Sequence, residues 1–245
     1  MEKHKLKPSG LPFFERIRII NLRHREDRRK QVRNELARIG VSIDNKHASF
    51  FEAQKFDDQG EFPSIGARGC FDSHLKILEE AARERAASVL ILEDDFQLTR
   101  HGRKNLKAVL DRLEVVDWSI FYGGGRVQMV EQEASLVTSL NSTQVVQCAH
   151  FIAFKGKSID AVVAYLNAIL ERCAGSPEGG PMHVDGAYSW FRQAHPEFRT
   201  FMALPEIAVQ RPSISDITPS SRRIEKIPLV SVGIGLARAL KSRLM

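Results

Sequence analysis

Residues 88–96 read Ser-Val-Leu-Ile-Leu-Glu-Asp-Asp-Phe, a strand running straight into three carboxylates. The run from Ser88 to Leu92 is short, apolar and rich in branched side chains, the pattern of a strand buried on both faces. Side chains alternate along an extended chain, so Glu93 and Asp95 leave on one side and Asp94 on the other. Like charges this close, beside a hydrophobic core, are costly to keep ionised unless something positive is bound. Oxygen ligands suit magnesium or manganese, and such ions keep open positions for the phosphates of a substrate. The alternative is a solvated acidic turn that caps the next helix.

Upstream of this strand, residues 1–13 read as a flexible arm closed by Pro8, Gly10 and Pro12, and Ile17–Leu22 as a first strand. Arg25–Ile39 has helical spacing, with Val32, Leu36 and Ile39 on one stripe. Arg23, Arg25, Arg28 and Arg29 crowd its start, where cations oppose the helix macrodipole and are only partly offset by Glu26 and Asp27. A local rule broken in this way points to an anion held at the carboxyl end of the first strand, or to a basic surface helix. Asn45–Phe51 reads as a short strand, and a helix opens at Gly66–Cys70 and runs to about Ala87, with Ser73 and His74 in its early turns.

Downstream, Gly102–Leu113 is expected as a helix and Trp118–Tyr122 as a strand ending in Gly123, Gly124 and Gly125. Three glycines allow close backbone approach to a ligand, but the G-x-G-x-x-G spacing of dinucleotide sites is absent. Residues 126–143 read as a polar excursion near the site. Val145–Phe154 is expected as one or two strands containing His150, Ser158–Arg172 as a helix, and Phe198–Gln210 as one or two short strands. His183 and Asp185 stand before an aromatic helix, Ala187–Phe191. Strands alternating with helices predict an α/β fold, a mainly parallel sheet flanked by helices on both faces, with ligands at the carboxyl ends of the strands. The arginines, the carboxylates and the glycines all fall at such ends. Together they describe a site for a metal-bridged, phosphorylated ligand, most plausibly a nucleotide.

Composition is that of an ordinary globular protein, 43% hydrophobic and 27% charged, which excludes fibrous and low-complexity classes. A net charge of +6 suggests a polyanionic partner. The basic residues lack aromatic interleaving, so no nucleic acid is expected. Three cysteines without metal-ligand spacing argue against a disulfide framework and for a reducing compartment. The opening segment lacks the apolar core of a secretory signal, and no stretch approaches the roughly 20 apolar residues of a membrane span. A cytoplasmic protein is expected.

Several segments together resemble glycosyltransferase family 25, which contains bacterial lipooligosaccharide galactosyltransferases and collagen galactosyltransferases. The matching pieces are Ile20-Asn21-Leu22 with Arg25, Asp27 and Arg28; Gly69-Cys70 with Ser73-His74-Leu75; Leu92-Glu93-Asp94-Asp95; Val184-Asp185; and Gln210 followed by Ser215-Asp216-Ile217. At Cys148-Ala149-His150-Phe151 the chain departs from the family's Gly-Thr-x-x-Tyr pattern. The resemblance implies a GT-A-like fold over residues 14–221 and an inverting transfer of a hexose, usually galactose, from a UDP-sugar. The acceptor would be a saccharide or glycolipid such as lipooligosaccharide or lipopolysaccharide core. The acidic motif would hold manganese (or magnesium) on the diphosphate, with Asp95 as the ligand and Glu93 or Asp94 assisting or holding the ribose. Asn21, Arg25 and Arg28 would secure the nucleotide, with Ser73 and His74 lining the pocket. His150 and His183 are candidates to complete the metal shell. Asp185 is the candidate base for the acceptor hydroxyl, its other reading being a helix N-cap.

In the tail, residues 222–245, six basic residues stand against the single acid Glu225. Leu229, Val232, Leu236, Leu240 and Leu244 cluster on a helical wheel opposite Arg238 and Lys241, which fits peripheral attachment to the anionic inner face of a membrane, or a terminal helix docked on the domain. Rival functions are phosphoryl transfer, for which no P-loop is present, and a catalytically degenerate nucleotide-sugar-binding or scaffold protein of the same fold.

Overall fold

The computed structural model describes residues 11–44, 46–127 and 135–211. A single 3-10 turn at Leu11–Phe13 leads into β1 (Arg16–Asn21), α1 (Glu26–Ala37), β2 (Ala48–Glu52) and α2 (Ile65–Arg83). Next come β3 (Ser88–Glu93), β4 (Phe96–Leu98), α3 (Arg100–Glu114), β5 (Ile120–Tyr122) and β6 (Arg126–Val127). The chain continues through β7 (Val137–Leu140), β8 (Val146–Gln147), β9 (Phe151–Lys155), α4 (Lys157–Leu170), α5 (Val184–Ala194), β10 (Thr200–Ala203) and β11 (Ala208–Gln210).

Seven strands form the main sheet in the order β2-β1-β3-β9-β5-β10-β7. The pairings of β1 with β2, β1 with β3 and β5 with β10 are parallel, whereas β9 is antiparallel to both its neighbours and β7 to β10. Five strands therefore point one way, and the expected α/β sheet, mainly parallel and flanked by helices, is what forms. β9 enters between β3 and β5 against the general direction. Short antiparallel pairs, β4 with β11 and β6 with β8, stand outside the main sheet.

The alternation of β3 explains its unbroken apolar run. Val89 and Ile91 pack with Phe71, Leu75 and Leu78 of α2 and Val162 and Leu166 of α4. Leu90 and Leu92 face the other way, onto Val32 and Leu36 of α1 and Leu106, Val109 and Leu110 of α3. Both faces are covered, so neither parity of the strand tolerates a polar residue until the sheet ends at Glu93. Each such side chain, wholly buried, contributes about 1.5–3 kcal/mol.

Several expectations are corrected. Leu11 is fully buried with Phe14 against Trp118 and its neighbours, so the end of the segment read as an arm belongs to the core. Within residues 126–143, Val137–Leu140 is an edge strand rather than part of a polar excursion, because Val137 and Leu140 both bury apolar surface. The acidic motif does not cap the next helix: Asp94 and Asp95 form a turn between β3 and β4, and α3 is capped by Thr99, whose Oγ1 accepts from Gly102 N at 2.8 Å. The glycines after β5 approach the chain itself. A Cβ on Gly123 would stand 2.4 Å from the Phe151 ring and one on Gly124 2.0 Å from the Ala208 carbonyl oxygen. Gly123 O in turn accepts from the amides of Ile207 and Ala208. Ser215, Asp216 and the basic tail lie outside the described residues. Among those described, no helix is long and apolar enough to cross a membrane.

Candidate active site

At the carboxyl end of β3 the three carboxylates diverge, and each meets a different element. Asp94 turns toward the end of β1 and the start of α1. Its Oδ2 accepts from Asn21 Nδ2 at 2.7 Å and its Oδ1 from Arg28 Nη1 at 2.5 Å. Asn21 also donates to the Arg25 carbonyl and accepts from Arg29 Nε. Asp94 is buried, so this network ties the first strand, the arginine-rich turn and the central strand together. It accounts for the arginines at the start of α1, since their charge is partly answered by an acid 66 residues away. Arg25 precedes α1 and bonds Asp27 through Nε and Nη2, at 3.0 and 2.9 Å, which holds the Asp27 carboxyl at about 2.

Asp95 meets the residues around the end of β11. Its Oδ2 accepts from Gln210 Nε2 at 3.1 Å, and its buried Oδ1 has no hydrogen-bond partner among the described residues. Its backbone oxygen accepts from the Arg211 amide, and Asp94 O accepts from Arg211 Nη2, so the strand end is clasped by the residues following β11. Burial, and then the charge of Glu93, push the Asp95 carboxyl from 3.8 to about 7, against the opposing pull of Arg28. An acid with a bare buried oxygen and too little positive charge around it is a carboxylate suited to a bound cation. One carboxylate with phosphate oxygens and water is a sufficient shell for manganese or magnesium, so Asp95 fits the group the motif implies.

Glu93 looks toward α2. Its Oε1 lies 3.6 Å from His74 Nε2 and 3.8 Å from Cys70 Sγ, and one ligand atom from each of the three lies within 4.8 Å of the others. Cys70 and His74 are four residues apart on α2, one turn of helix, and so share a face. His74 is fully buried, and its Nδ1 is 3.0 Å from the Tyr188 hydroxyl on α5. Burial raises Glu93, but the His74 and His150 rings outweigh it and leave the carboxyl below its ordinary value. Burial also pushes the Cys70 thiol far up, with Glu93 adding to the effect. The expected shell of Asp95, Glu93 and His150 is not the group that closes to within 4.8 Å among the described residues. His150 Nε2 stands 3.3 Å from the Ala208 carbonyl and its buried Nδ1 has no hydrogen-bond partner there. Ser73 is buried and its hydroxyl donates to the Gly69 carbonyl inside α2, so it braces the helix rather than lining a pocket.

Asp185 sits in the first turn of α5, one residue past the first helical position. The N-cap is His183, without a side-chain cap, so the N-cap reading of Asp185 is replaced by a place near the positive end of the helix. Asp185 Oδ1 accepts from the Gly186 amide at 2.8 Å and Oδ2 from the Cys148 amide at 2.9 Å. Cys148 is held at φ 71°, a left-handed backbone rare for a non-glycine residue. Asp185, like Glu93 and Asp95, raises the Cys70 and Cys148 thiols electrostatically, and it raises the Tyr122 hydroxyl as well. His183 is exposed. Tyr188 and Arg211 carry no motif signal. Only the helical spacing of Cys70 and His74 points from sequence toward the cluster around Glu93.

Residues 14–165 match glycosyltransferase family 25 (LPS biosynthesis protein). Procollagen galactosyltransferase 1-A of Xenopus laevis is 27% identical over 139 residues, 49% of this chain and 23% of that protein. A glycosyltransferase 25 family member of Drosophila pseudoobscura pseudoobscura is 28% identical over 146 residues, 53% of this chain and 23% of that one. A probable inactive glycosyltransferase 25 family member 3 of Bos taurus is 26% identical over 146 residues, 52% of this chain and 24% of that one. The chain thus spans about a quarter of the length of the curated relatives it matches. Among solved structures, a glycosyltransferase involved in the glycosylation of the major capsid of PBCV-1 aligns at TM-score 0.43 and 13% identity, covering 82% of this chain and 94% of that one. With the family pattern running through more than half of its length, the chain belongs to glycosyltransferase family 25.

Proposed function

We propose that the protein is an inverting glycosyltransferase of GT-A-like fold that moves a hexose, galactose in the first instance, from a UDP-sugar to a saccharide acceptor. Family membership supports the reaction class, and the galactosyltransferases among the relatives support the sugar. The observation that carries the reading is Asp95: a strand-end carboxylate with a bare buried oxygen, raised to about 7 by burial and by the charge of Glu93.

In this reading Asp95 would hold manganese or magnesium, and the ion would supply positive charge to stabilise the departing nucleoside diphosphate. Asp94, Asn21 and Arg28 hold the turn that aims Asp95. Asp185 takes the proton of the acceptor hydroxyl as the new bond forms. The acceptor is a lipooligosaccharide or lipopolysaccharide core sugar, brought to a protein that works in the cytoplasm at the inner membrane face through the basic segment 222–245.

A second reading, a sugar-nucleotide-binding protein without turnover, draws on one observation. Both Asp185 oxygens already accept from backbone amides, as a structural clamp would. UDP release measured across UDP-galactose, UDP-glucose and UDP-N-acetylhexosamines, with and without manganese, separates the two. Metal-dependent release with one donor is expected for wild type, and loss of at least about a hundredfold for Asp95→Ala. Full activity of Asp95→Ala would end the metal assignment, and donor binding without release would favour the second reading.

A further inference from the structure

We propose that Cys70, His74 and Glu93 form a binding site for a zinc-type transition metal, separate in donor chemistry from the hard-cation position at Asp95. The three donors are a thiol, an imidazole and a carboxylate, the set that zinc takes and that manganese and magnesium do not seek. Tetrahedral zinc, with bonds of about 2.0–2.3 Å, holds its ligand atoms roughly 3.3–3.6 Å apart. Glu93 Oε1 is already 3.6 Å from His74 Nε2 and 3.8 Å from Cys70 Sγ.

The unpartnered nitrogen is an independent sign. His74 is 0% exposed, yet its Nε2 has no hydrogen-bond partner among the described residues, and the 3.6 Å gap to Glu93 is too long for a hydrogen bond. A gap of that size between the buried ring and the part-buried carboxylate suits an ion. The other nitrogen, Nδ1, is met by the Tyr188 hydroxyl at 3.0 Å. With Nδ1–H donating to that oxygen, Nε2 presents its lone pair to the cluster, as the outer partner of a metal-bound histidine usually arranges. Cys70 and His74 come from one helical face and Glu93 from the end of β3, so the ion would join α2 to the central strand. Three protein ligands leave a fourth position open. Binding displaces the thiol proton of Cys70, which passes to solvent as the metal–sulfur bond forms.

The inference stands apart from the transferase reading, because metal is detected without turnover. The full chain, stripped with chelator, is titrated with cobalt(II) and the thiolate-to-metal charge-transfer absorption followed, with zinc as competitor. One equivalent with a sulfur band displaced by zinc is expected. Cys70→Ser, which keeps the size of the side chain, should lose the band and weaken binding at least tenfold, whereas Asp95→Asn should retain both. X-ray absorption on the zinc-loaded wild type gives a reading free of any folding defect in the variants and should show one sulfur neighbour. Absence of a sulfur band in wild type, a band that survives Cys70→Ser, or a purely oxygen and nitrogen shell overturns the proposal. In any of these outcomes Cys70 is not a metal ligand.

Discussion

Removing the charge of Asp95 should stabilise the metal-free protein, although it destroys the proposed cation site. The folded-state carboxyl lies at about 7 against an ordinary 3.8, so between these values the native state binds a proton that the unfolded chain has released. Stability from this group therefore falls as pH rises from about 4 to 7 and is flat above. A difference of that size corresponds at most to about 4 kcal/mol. Asp95 is not wholly shielded from solvent, so a working figure is about half of that. Asp95→Asn keeps the shape and the contact with Gln210 but carries no charge. In chelator at pH 8 it should melt about 4–8 °C above wild type, the shift that ~2 kcal/mol makes in a domain of this size. The difference should shrink toward zero near pH 4, where both proteins are neutral at this position. Manganese should reverse the order by stabilising wild type alone. Differential scanning calorimetry over pH 4–8 reads all three. A variant that melts at or below wild type at pH 8 without metal, or a difference independent of pH, would refute the reasoning.

Manganese affinity, measured by calorimetry, should weaken about tenfold from pH 8 to pH 6 as protons compete for Asp95; an affinity constant across that range would place the metal on other ligands. If Asp185 is the base, Asp185→Asn should lower kcat by about 10²–10⁴ with little change in donor KM, whereas a clamp role alone would show as a lowered melting temperature with kcat nearly intact. Arg192 is fully buried and donates to the carbonyls of Gln144 and Asn141 and to Thr200, so Arg192→Leu should cost about 3 kcal/mol or more in urea unfolding; a loss below 1 kcal/mol would mean water replaces those bonds. Gly124→Ala would set a Cβ 2.0 Å from the Ala208 oxygen and should lower the melting temperature sharply, and a variant as stable as wild type would disprove the close approach of β5 and β11.

Much of the frame was legible locally. The apolar run of β3 announces a strand covered on both faces, and the period of two assigns Glu93 and Asp94 to opposite sides, as their partners His74 and Asn21 bear out. The helices expected over Arg25–Ile39, from Gly66 to about Ala87 and over Ser158–Arg172 form as α1, α2 and α4, with ends shifted by a few residues. The insertion of β9 against the direction of β3 and β5 was not legible, because a buried strand reads the same in either orientation. The partners of the glycines after β5 were not legible for a related reason: their freedom shows in sequence, but what they approach, Phe151 and Ala208, does not. Cys70 carried no metal-ligand spacing with another cysteine. Its candidate partners are a histidine one helical turn on and a glutamate from another element.

The sequence alone determined that strands alternate with helices and that three acids close the central strand, since both follow from periodicity and from the behaviour of each residue beside its neighbours. What each acid does depended on the packed chain. Asp94 is quenched by Asn21, 73 residues away, Glu93 is drawn toward α2, and Asp95 is steadied by Gln210, 115 residues away, with one oxygen left bare. Charge, burial and hydrogen bonding act through space, so three acids adjacent in the chain acquire three chemistries only when distant segments arrive around them.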